Sequence, residues 1–253
     1  MPEIEYVYLD DGVATVTLNR PERLNALGVR AKTELGRIWA DAEGDPRVRS
    51  IVLQGAGDRA FCAGSDLKEV HETGEMVSTD TLLAAIPGVA TPLTKPVIAA
   101  LHGHCVGMGM TLAIHCDFRI ASPDAKISWP EVKHGMISAV SAIRLPELIG
   151  RDAALRLLYL GEAVQPEEAL ALGLITAIET DPREAALALA RRLAALPEAA
   201  VQAHKRLATF VQRRMTADLR QEVLATRAWL ESHDSFKEGA ARFDRRKDKE
   251  TSL

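Results

Sequence analysis

The chain lacks several features that mark specialised classes of protein. Its three cysteines, Cys62, Cys105 and Cys116, show no CxxC spacing, and their odd number argues against a disulfide framework. No apolar run approaches the ~20 residues that a membrane-spanning helix needs. The N-terminal residues contain acids and no apolar signal segment. We therefore expect a cytoplasmic protein with no membrane partner.

An excess of one charge is also missing. The net charge is -4, and the one notable basic run is RFDRRKDK at residues 242–249. Such a run is typical of the solvated end of a helix, and the overall charge argues against nucleic acid as the main partner. The 253 residues are 47% hydrophobic and 26% charged, which is ordinary for a soluble protein. This length suits one large domain, or one domain with an appended helical part.

Strand and helix patterns alternate over the first two thirds of the chain. The sequence predicts a β-hairpin over 6–18 and further strands at 51–54, 97–101, 118–121, 126–128 and 174–178. Helices are predicted at 26–42, 66–71, 110–115, 145–160 and 165–172, and almost throughout the chain from Pro182 onward. Weak periodicity at 73–91 predicts a partly mobile segment, a candidate lid. The repetition predicts an α/β domain with a helical C-terminal part.

Two glycine-containing turns carry the strongest functional signal. One spans residues 103–109, after the strand at 97–101, and leads into a helix. The other, FCAGSD at 61–66, follows the predicted strand at 51–54. Backbone N–H groups at such a turn can hold negative charge, and two that converge on one point form an oxyanion hole. Either turn by itself would most often be only a tight connection.

Glu131, in the segment WPEV at 129–132, is the one well-placed carboxylate. The first turn of the helix after Gly109 has Thr111 where a second acid would be useful. A threonine hydroxyl cannot take a proton at neutral pH, although it can orient water or bond to the local backbone. Ser65 has no visible Ser/His/Asp arrangement around it, which favours a backbone role.

The chain is rich in histidine near these turns, at His102, His104, His115 and His134. Their spacing is not that of a known zinc motif, so no metal is expected. We predict that His102 and His104 line the pocket as satisfied polar residues. His104 and His134 remain candidates for a second acid or base. Cys62 is interpreted as a small buried filler rather than a thiolate.

Several motifs occur in a fixed order along nearly the whole chain. They are NRPERLNAL at 19–27, AFCAGSDLKE at 60–69, KPVIAALHGHCVGMGMTLAIHCDFRIAS at 95–122, ISWPEVKHGMI at 127–137, RLPELIG at 144–150, EEALALGLI at 167–175 and HDSFKEGAARFDRRK at 233–247. The ordered set resembles the crotonase superfamily, the enoyl-CoA hydratases and isomerases. The resemblance implies a fold of repeated ββα units, a core domain at 1–195 and a helical trimerisation region at 196–253. It also implies a homotrimer or hexamer.

The same resemblance implies the chemistry. The substrate would be an acyl-CoA thioester, with no separate cofactor because CoA is part of the substrate. The thioester carbonyl would lie between the N–H groups of Ser65 and Met108, and Glu131 would be the general acid/base. Thr111 falls where hydratases of the family commonly have the first of two glutamates. A single glutamate resembles the Δ3,Δ2-enoyl-CoA isomerases, which favours double-bond migration over hydration.

The resemblance further assigns substrate and CoA contacts, some to the backbone and others to the cations Arg23 and Lys68 at phosphates. The full set is Arg23, Leu24, Ala26, Ala63, Ser65, Asp66, Leu67, Lys68, Val106, Gly107, Met108, Pro130 and Ile137. Arg246 falls near a position from which some members reach a neighbour's ligand. Trp129 and Met136 are expected either as walls of the acyl pocket or as core residues.

Two other functions stay open at this point. The fold alone does not determine the reaction, so a specialised decarboxylase, dehydratase or hydrolase of a CoA thioester is one alternative. A non-catalytic acyl-CoA-binding or RNA-binding member is the other. The sequence does not identify the acyl group.

Overall fold

The computed structural model describes residues 2–73, 77–209 and 216–232. They form two sheets. The larger sheet has the order β1-β2-β3-β5-β7-β9, with strands β1 Ile4–Tyr8, β2 Val13–Leu18, β3 Ser50–Gly55, β5 Val97–Leu101, β7 Phe118–Ala121 and β9 Ala177–Ile178. The smaller sheet has the order β4-β6-β8, with strands β4 Ala60–Cys62, β6 His104–Val106 and β8 Lys126–Ser128. Only the β1–β2 hairpin is antiparallel; the other pairings between the named strands are parallel.

A ββα unit recurs along the chain. In each unit the first strand joins the larger sheet and the second joins the smaller one, as β3–β4, β5–β6 and β7–β8 do. Helices α2 (Leu67–Thr73) and α4 (Met108–Ile114) follow the first two pairs, and a 3-10 turn at Pro130–His134 follows the third. The predicted α/β fold of repeated ββα units is therefore confirmed. The predicted motifs follow the ends of the strands in the smaller sheet. They therefore lie on one side of the molecule.

The other helices cover the sheets. They are α1 Val29–Gly44, α3 Thr79–Ala85, α5 Ala139–Ile149, α6 Arg151–Leu160, α7 Pro166–Ala171, α8 Pro182–Ala194, α9 Glu198–Ala208 and α10 Thr216–Glu231. Helix α8 places the small side chains of Ala186 and Ala190 against Val52 and Ile98 of the larger sheet. The main apolar core lies on the other face of that sheet and includes α1 and α4. Across the described ranges, no helix combines the length and apolar character needed to cross a bilayer.

Several predicted boundaries were wrong. Residues 61–66 and 103–109 were predicted as turns, but each overlaps a three-residue strand, β4 and β6, and α4 begins at Met108 rather than Met110. Both strands lie close to glycines, Gly64 for β4 and Gly103 and Gly107 for β6, and glycines favour the prediction of a turn. The predicted helix at 145–160 is two helices, because Gly150 adopts a φ of 78° between α5 and α6. An L side chain rarely adopts that φ, so the glycine permits the break.

The segment predicted as a mobile lid contains an ordered helix. Ser78 caps α3 by accepting a hydrogen bond from the Thr81 N–H at 3.1 Å, and Leu83 is buried. The Trp39 indole N–H of α1 donates to the Ala85 carbonyl at 2.7 Å, which ties α3 to α1. Residues 79–85 of the predicted lid therefore form a helix that packs against α1, and their mobility stays a prediction. Residues 74–76 lie outside the described ranges.

Candidate active site

A cleft of about 510 Å³ opens between the α1–α2 side of the molecule and the turn before α4. Fifteen of the residues predicted for catalysis or CoA binding line it. They are Arg23, Leu24, Ala26, Ala63, Ser65, Asp66, Leu67, Lys68, Val106, Gly107, Met108, Thr111, Pro130, Glu131 and Ile137. The structure therefore brings together segments that lie more than 100 residues apart in the chain.

The two glycine turns meet at Gly64. A Cβ at Gly64, whose φ is 102°, would lie 3.3 Å from the Val106 carbonyl oxygen and 3.7 Å from the Met108 nitrogen. On the other side of that turn, the Leu27 N–H donates to the Gly64 carbonyl at 2.8 Å and the Asp66 N–H donates to the Leu27 carbonyl at 3.0 Å. The N–H of Ser65, which lies between Gly64 and Asp66, takes part in neither of these bonds. Neither that N–H nor the Met108 N–H donates a hydrogen bond to another described residue.

Close packing under the turns explains why residue 109 is glycine. A Cβ on Gly109 would lie 2.6 Å from the Cys62 Cβ and 2.8 Å from the Cys62 carbonyl oxygen, so any larger residue would push α4 away from β4. Cys62 is fully buried, and burial raises the pKa of its thiol to about 12. The interpretation of Cys62 as a buried filler is confirmed.

The loop before α1 is held in a strained conformation at the edge of the cleft. Leu24 and Asn25 have φ values of 52° and 55°, which cost energy in residues other than glycine. The buried Asn25 amide donates to the carbonyls of Ala56 at 2.9 Å and Ala60 at 2.8 Å, and its oxygen accepts the Arg20 N–H at 2.9 Å. These bonds offset the strain and place the Leu24 carbonyl where the Ala63 N–H donates to it at 2.9 Å.

The carboxyl group of Glu131 lies against the turn that precedes α4. A Cβ on Gly107, whose φ is 55°, would lie 2.9 Å from Glu131 Oε1. The Oε2 atom is buried and has no hydrogen-bond partner among the described residues. Burial raises the pKa of Glu131, while its own backbone N–H and the Ser138 hydroxyl act in the opposite direction. A carboxyl group whose charged form is disfavoured by burial is suited to receiving and returning a proton.

Thr111 belongs to a buried cluster of hydroxyl groups, here called the hydroxyl network: Thr111, Ser138 and Ser141. Thr111 Oγ1 lies 2.8 Å from Ser141 Oγ and 3.4 Å from Ser138 Oγ, and it is within 3.2 Å of the Gly107 carbonyl oxygen. The Trp129 indole N–H donates to Ser141 Oγ at 3.0 Å. The network therefore runs from Trp129 to Ser138, which borders Glu131.

Comparison with known proteins identifies the family. The family model described as Enoyl-CoA hydratase/isomerase matches residues 9–251. The chain belongs to the enoyl-CoA hydratase/isomerase family.

The matches cover most of the chain. The (E)-benzylidenesuccinyl-CoA hydratase of Thauera aromatica is 38% identical over 200 residues, 78% of each chain. The short-chain-enoyl-CoA hydratase of Clostridium acetobutylicum is 36% identical over 175 residues, 68% of this chain and 67% of the relative. Among solved structures, carnitinyl-CoA hydratase from Mycobacterium avium superposes with a TM-score of 0.86 at 32% identity, covering 96% of each chain. The predicted crotonase fold is confirmed, and this enoyl-CoA hydratase/isomerase family member is an acyl-CoA enzyme by descent.

Not all expectations about the surrounding residues hold for this family member. Trp129 is buried below the cleft and does not line it, whereas Met136 does. His102 lies outside the cleft, with Nε2 3.0 Å from Arg183 Nη2, and burial together with Arg183 lowers its pKa to about 4. His104 is on β6, also outside the cleft, so the prediction that these two histidines line the pocket is wrong.

The two remaining histidines differ from one another. His115 ends α4, with Nδ1 2.8 Å from the Thr111 carbonyl oxygen, and burial lowers its pKa to about 4. It lies outside the cleft, whereas His134 lines it. Of the four histidines, His134 alone stays a candidate for a second acid or base.

The charged residues of the cleft lie either at its exposed rim or in its interior. Arg23 and Lys68 are exposed at the rim of the cleft. Asp66 is buried, forms an ion pair with Arg20 at 3.1 Å, and caps α2 by accepting the Glu69 N–H at 3.3 Å. Its role in the structure is therefore to hold the turn. Arg246 lies outside the described residues.

Sequence reasoning missed Lys32 and Arg227. Lys32 is a buried residue of α1 that lines the cleft, and its Nζ donates to Ser65 Oγ at 3.2 Å. Its spacing from Leu35 and Trp39 places it on the buried face of the helix, which was the available signal. Arg227 lines the cleft from α10 and donates to Thr79 Oγ1 at 2.9 Å and to the Val77 carbonyl at 3.1 Å. No sequence pattern links α10 to the cleft.

Proposed function

We propose that this protein transfers a proton next to the thioester of an acyl-CoA, with double-bond migration as its main reaction. The N–H groups of Ser65 and Met108 would bind the thioester oxygen, and Glu131 would be the general acid/base. The observation that carries the proposal is the Glu131 carboxyl group against Gly107, beside the adjacent turns that present both N–H groups.

The proposed reaction starts from a 3-enoyl-CoA. The Glu131 carboxylate removes a proton from C2, and the electron pair of that C–H bond forms a dienolate whose oxygen accepts the two N–H bonds. The protonated Glu131 then gives the proton to C4, so that the double bond ends between C2 and C3. Removing one donor from an oxyanion hole costs about 3–4 kcal/mol of transition-state stabilisation. A pKa of Glu131 raised by burial suits both halves of this transfer.

Hydration of a 2-enoyl-CoA is the second candidate, supported by relatives whose names describe hydratases. It would add the hydroxyl group of water at C3 and one proton at C2, and it needs a group that positions the water. Thr111 would be that group. Its hydroxyl already lies within bonding distance of the Gly107 carbonyl oxygen and Ser141 Oγ, which favours the isomerase proposal.

A deuterium experiment with Glu131→Gln tests the acid/base role. Paired 2-enoyl- and 3-enoyl-CoA substrates are incubated in D2O and followed by mass spectrometry. We expect isomerisation with deuterium uptake in the wild type and a loss of about 10²–10⁴-fold in the variant, the usual contribution of a positioned acid/base. Efficient formation of 3-hydroxyacyl-CoA by the wild type would contradict isomerisation as the main reaction. Full activity in the variant would contradict the role of Glu131.

Thr111→Val separates the two candidate reactions. Valine keeps the shape of the side chain and removes its hydroxyl. We expect isomerisation to change less than about tenfold, since no proton passes through Thr111 in the proposed reaction. A selective loss of 3-hydroxyacyl-CoA formation, at unchanged isomerisation, would instead assign the water-positioning role to Thr111.

We further propose CoA contacts, an oligomeric assembly and a cellular location for this protein. Arg23 and Lys68, exposed at the rim, suit contact with CoA phosphates. Assembly as a homotrimer or hexamer through residues 196–253 is testable by light scattering of the full chain. Activity without an added cofactor, and a cytoplasmic location, complete the proposal.

A further inference from the structure

Lys32 is a cation inside the cleft for which the proposed reaction has no use. Only 3% of its surface is exposed, and Nζ donates to the neutral Ser65 hydroxyl. No carboxylate of the described residues lies within 4.0 Å of it. A buried charge without a counter-ion is costly, which makes such a group a candidate binding site for an anion.

The two carboxylates near Lys32 are engaged by other groups. Asp66 forms an ion pair with Arg20, and Glu69 accepts the Val29 N–H at 3.2 Å. Both still favour the charged form of Lys32, but burial outweighs them and lowers its pKa to about 8. The structure thus stabilises the ammonium only in part.

Arg227 adds a second positive charge to the same cleft. It is near enough to Lys32 to disfavour the charged form of the lysine. Its hydrogen bonds go to a hydroxyl and a carbonyl of the 77–79 segment, with the Glu231 carboxylate 3.9 Å away. A plain hydrocarbon acyl chain would bury both cations further and neutralise neither.

We propose that the acyl group of the substrate carries its own carboxylate, which pairs with Lys32. The substrate class is then the mono-CoA thioesters of dicarboxylic acids. This inference rests on the proposed function, because it places the thioester at Ser65 and Met108. Since Lys32 is bonded to the Ser65 side chain, the carboxylate lies a few carbon atoms from the thioester. The lysine is a specificity residue: it orients the acyl group and takes no part in the proton transfer.

Binding of saturated thioesters tests the inference without requiring turnover. Succinyl-CoA and butanoyl-CoA have acyl chains of the same length and differ in the terminal carboxylate. Their dissociation constants are measured by calorimetry for the wild type, Lys32→Met and Lys126→Met. Methionine keeps the length and apolar stem of lysine, and Lys126 is an exposed residue of β8 that does not line the cleft.

We expect the wild type and Lys126→Met to bind succinyl-CoA at least tenfold more tightly than butanoyl-CoA. Lys32→Met should lose that preference and keep its affinity for butanoyl-CoA. Equal binding of the two ligands by the wild type, or a preference that survives in Lys32→Met, would overturn the inference while leaving the Glu131 chemistry intact. Absence of binding by either ligand would overturn the proposed function as well.

A kinetic measurement excludes the main rival role for Lys32, which is direct stabilisation of the thioester oxygen. We expect Lys32→Met to lower kcat/KM at least tenfold more for a 3-enoyl-CoA with a terminal carboxylate than for an uncharged one. An equal loss on both substrates, together with unchanged binding preference, would assign Lys32 to the thioester oxygen and contradict the carboxylate assignment.

Discussion

Two buried lysines lie near opposite ends of helix α1, and their environments are opposite. Lys32 belongs to the helix, whereas Lys95 reaches it from the segment before β5. Lys95 Nζ reaches the C-terminal end of the helix, where it donates to the carbonyls of Ala42, at 2.6 Å, and Asp45. Lys32 lies in the N-terminal part of the helix, with the Ser65 hydroxyl as its bonding partner. Carbonyl groups at a helix C-terminus favour a cation, and the N-terminal end disfavours one.

Lys95 stabilises the fold, whereas the buried charge of Lys32 costs free energy. Burial lowers the pKa of both side chains. For Lys95 three carboxylates oppose the effect. The residue also donates to carbonyls at the end of α1, in addition to the cap that the Asp45 N–H makes with the Asp41 carbonyl. Lys32 has no such function in the fold, so its retention in the cleft points to a ligand. The predictions below test this contrast.

The largest effect on stability is expected for Lys95→Met. The variant leaves the buried Ala42 carbonyl without its donor and removes a charged donor from the part-buried Asp45 carbonyl, which still accepts the Val48 N–H at 3.1 Å. Bonds to a charged group contribute about 1.5–3 kcal/mol each. We expect the free energy of unfolding, measured in urea, to fall by about 3 kcal/mol. The exposed Lys126→Met is the matched control and should change it by less than about 0.5 kcal/mol. A Lys95→Met protein as stable as this control would remove the basis of the comparison.

Lys32→Met should have the opposite sign. Lowering a pKa from 10.5 to about 8 corresponds to a cost on the order of 3 kcal/mol for keeping the charge at neutral pH. The substitution removes this cost, but it also removes the hydrogen bond from Lys32 to Ser65. We therefore expect a net stabilisation of about 1–2 kcal/mol at pH 7. A destabilised Lys32→Met would show that the lysine is a structural residue.

The pH dependence of that gain is a sharper test of the same variant. Between pH 8 and 10.5 the unfolded wild-type chain holds a proton on Lys32 that the folded chain has released. Wild-type stability therefore contains a contribution that rises with pH across this window. The difference between Lys32→Met and the wild type should shrink from pH 8 to 10.5 and be constant below pH 8. Parallel stability curves above pH 8 would contradict the assigned pKa.

Sequence reasoning succeeded where the functional groups lie within continuous motifs. Ser65, Met108 and Glu131 each follow a recognisable turn or motif, and the structure brings all three to one cleft. It failed where a residue reaches the cleft from a separate element. Lys32 comes from α1 and Arg227 from α10, and only tertiary packing brings them to the site. The strands β4 and β6 were missed because the glycines close to them favour turns, whereas β8, also three residues long but without such glycines, was predicted.

The smallest predicted effect concerns Glu131, which resembles Lys32 in lacking an ion-pair partner among the described residues, although only its Oε2 atom is fully buried. Neutral groups hold it instead, and the Ser138 hydroxyl is one that lowers its pKa. Ser138→Ala removes this support, so the pKa of Glu131 should rise further. If Glu131 acts as a base, the acidic limb of the kcat/KM profile should move to higher pH by several tenths of a unit, as expected for loss of one hydrogen bond. Ser122→Ala removes a buried hydroxyl outside the cleft and is the control. A limb that stays in place, or moves to lower pH, would show that Ser138 does not stabilise the carboxylate. Glu131 would then be held by its own backbone N–H alone.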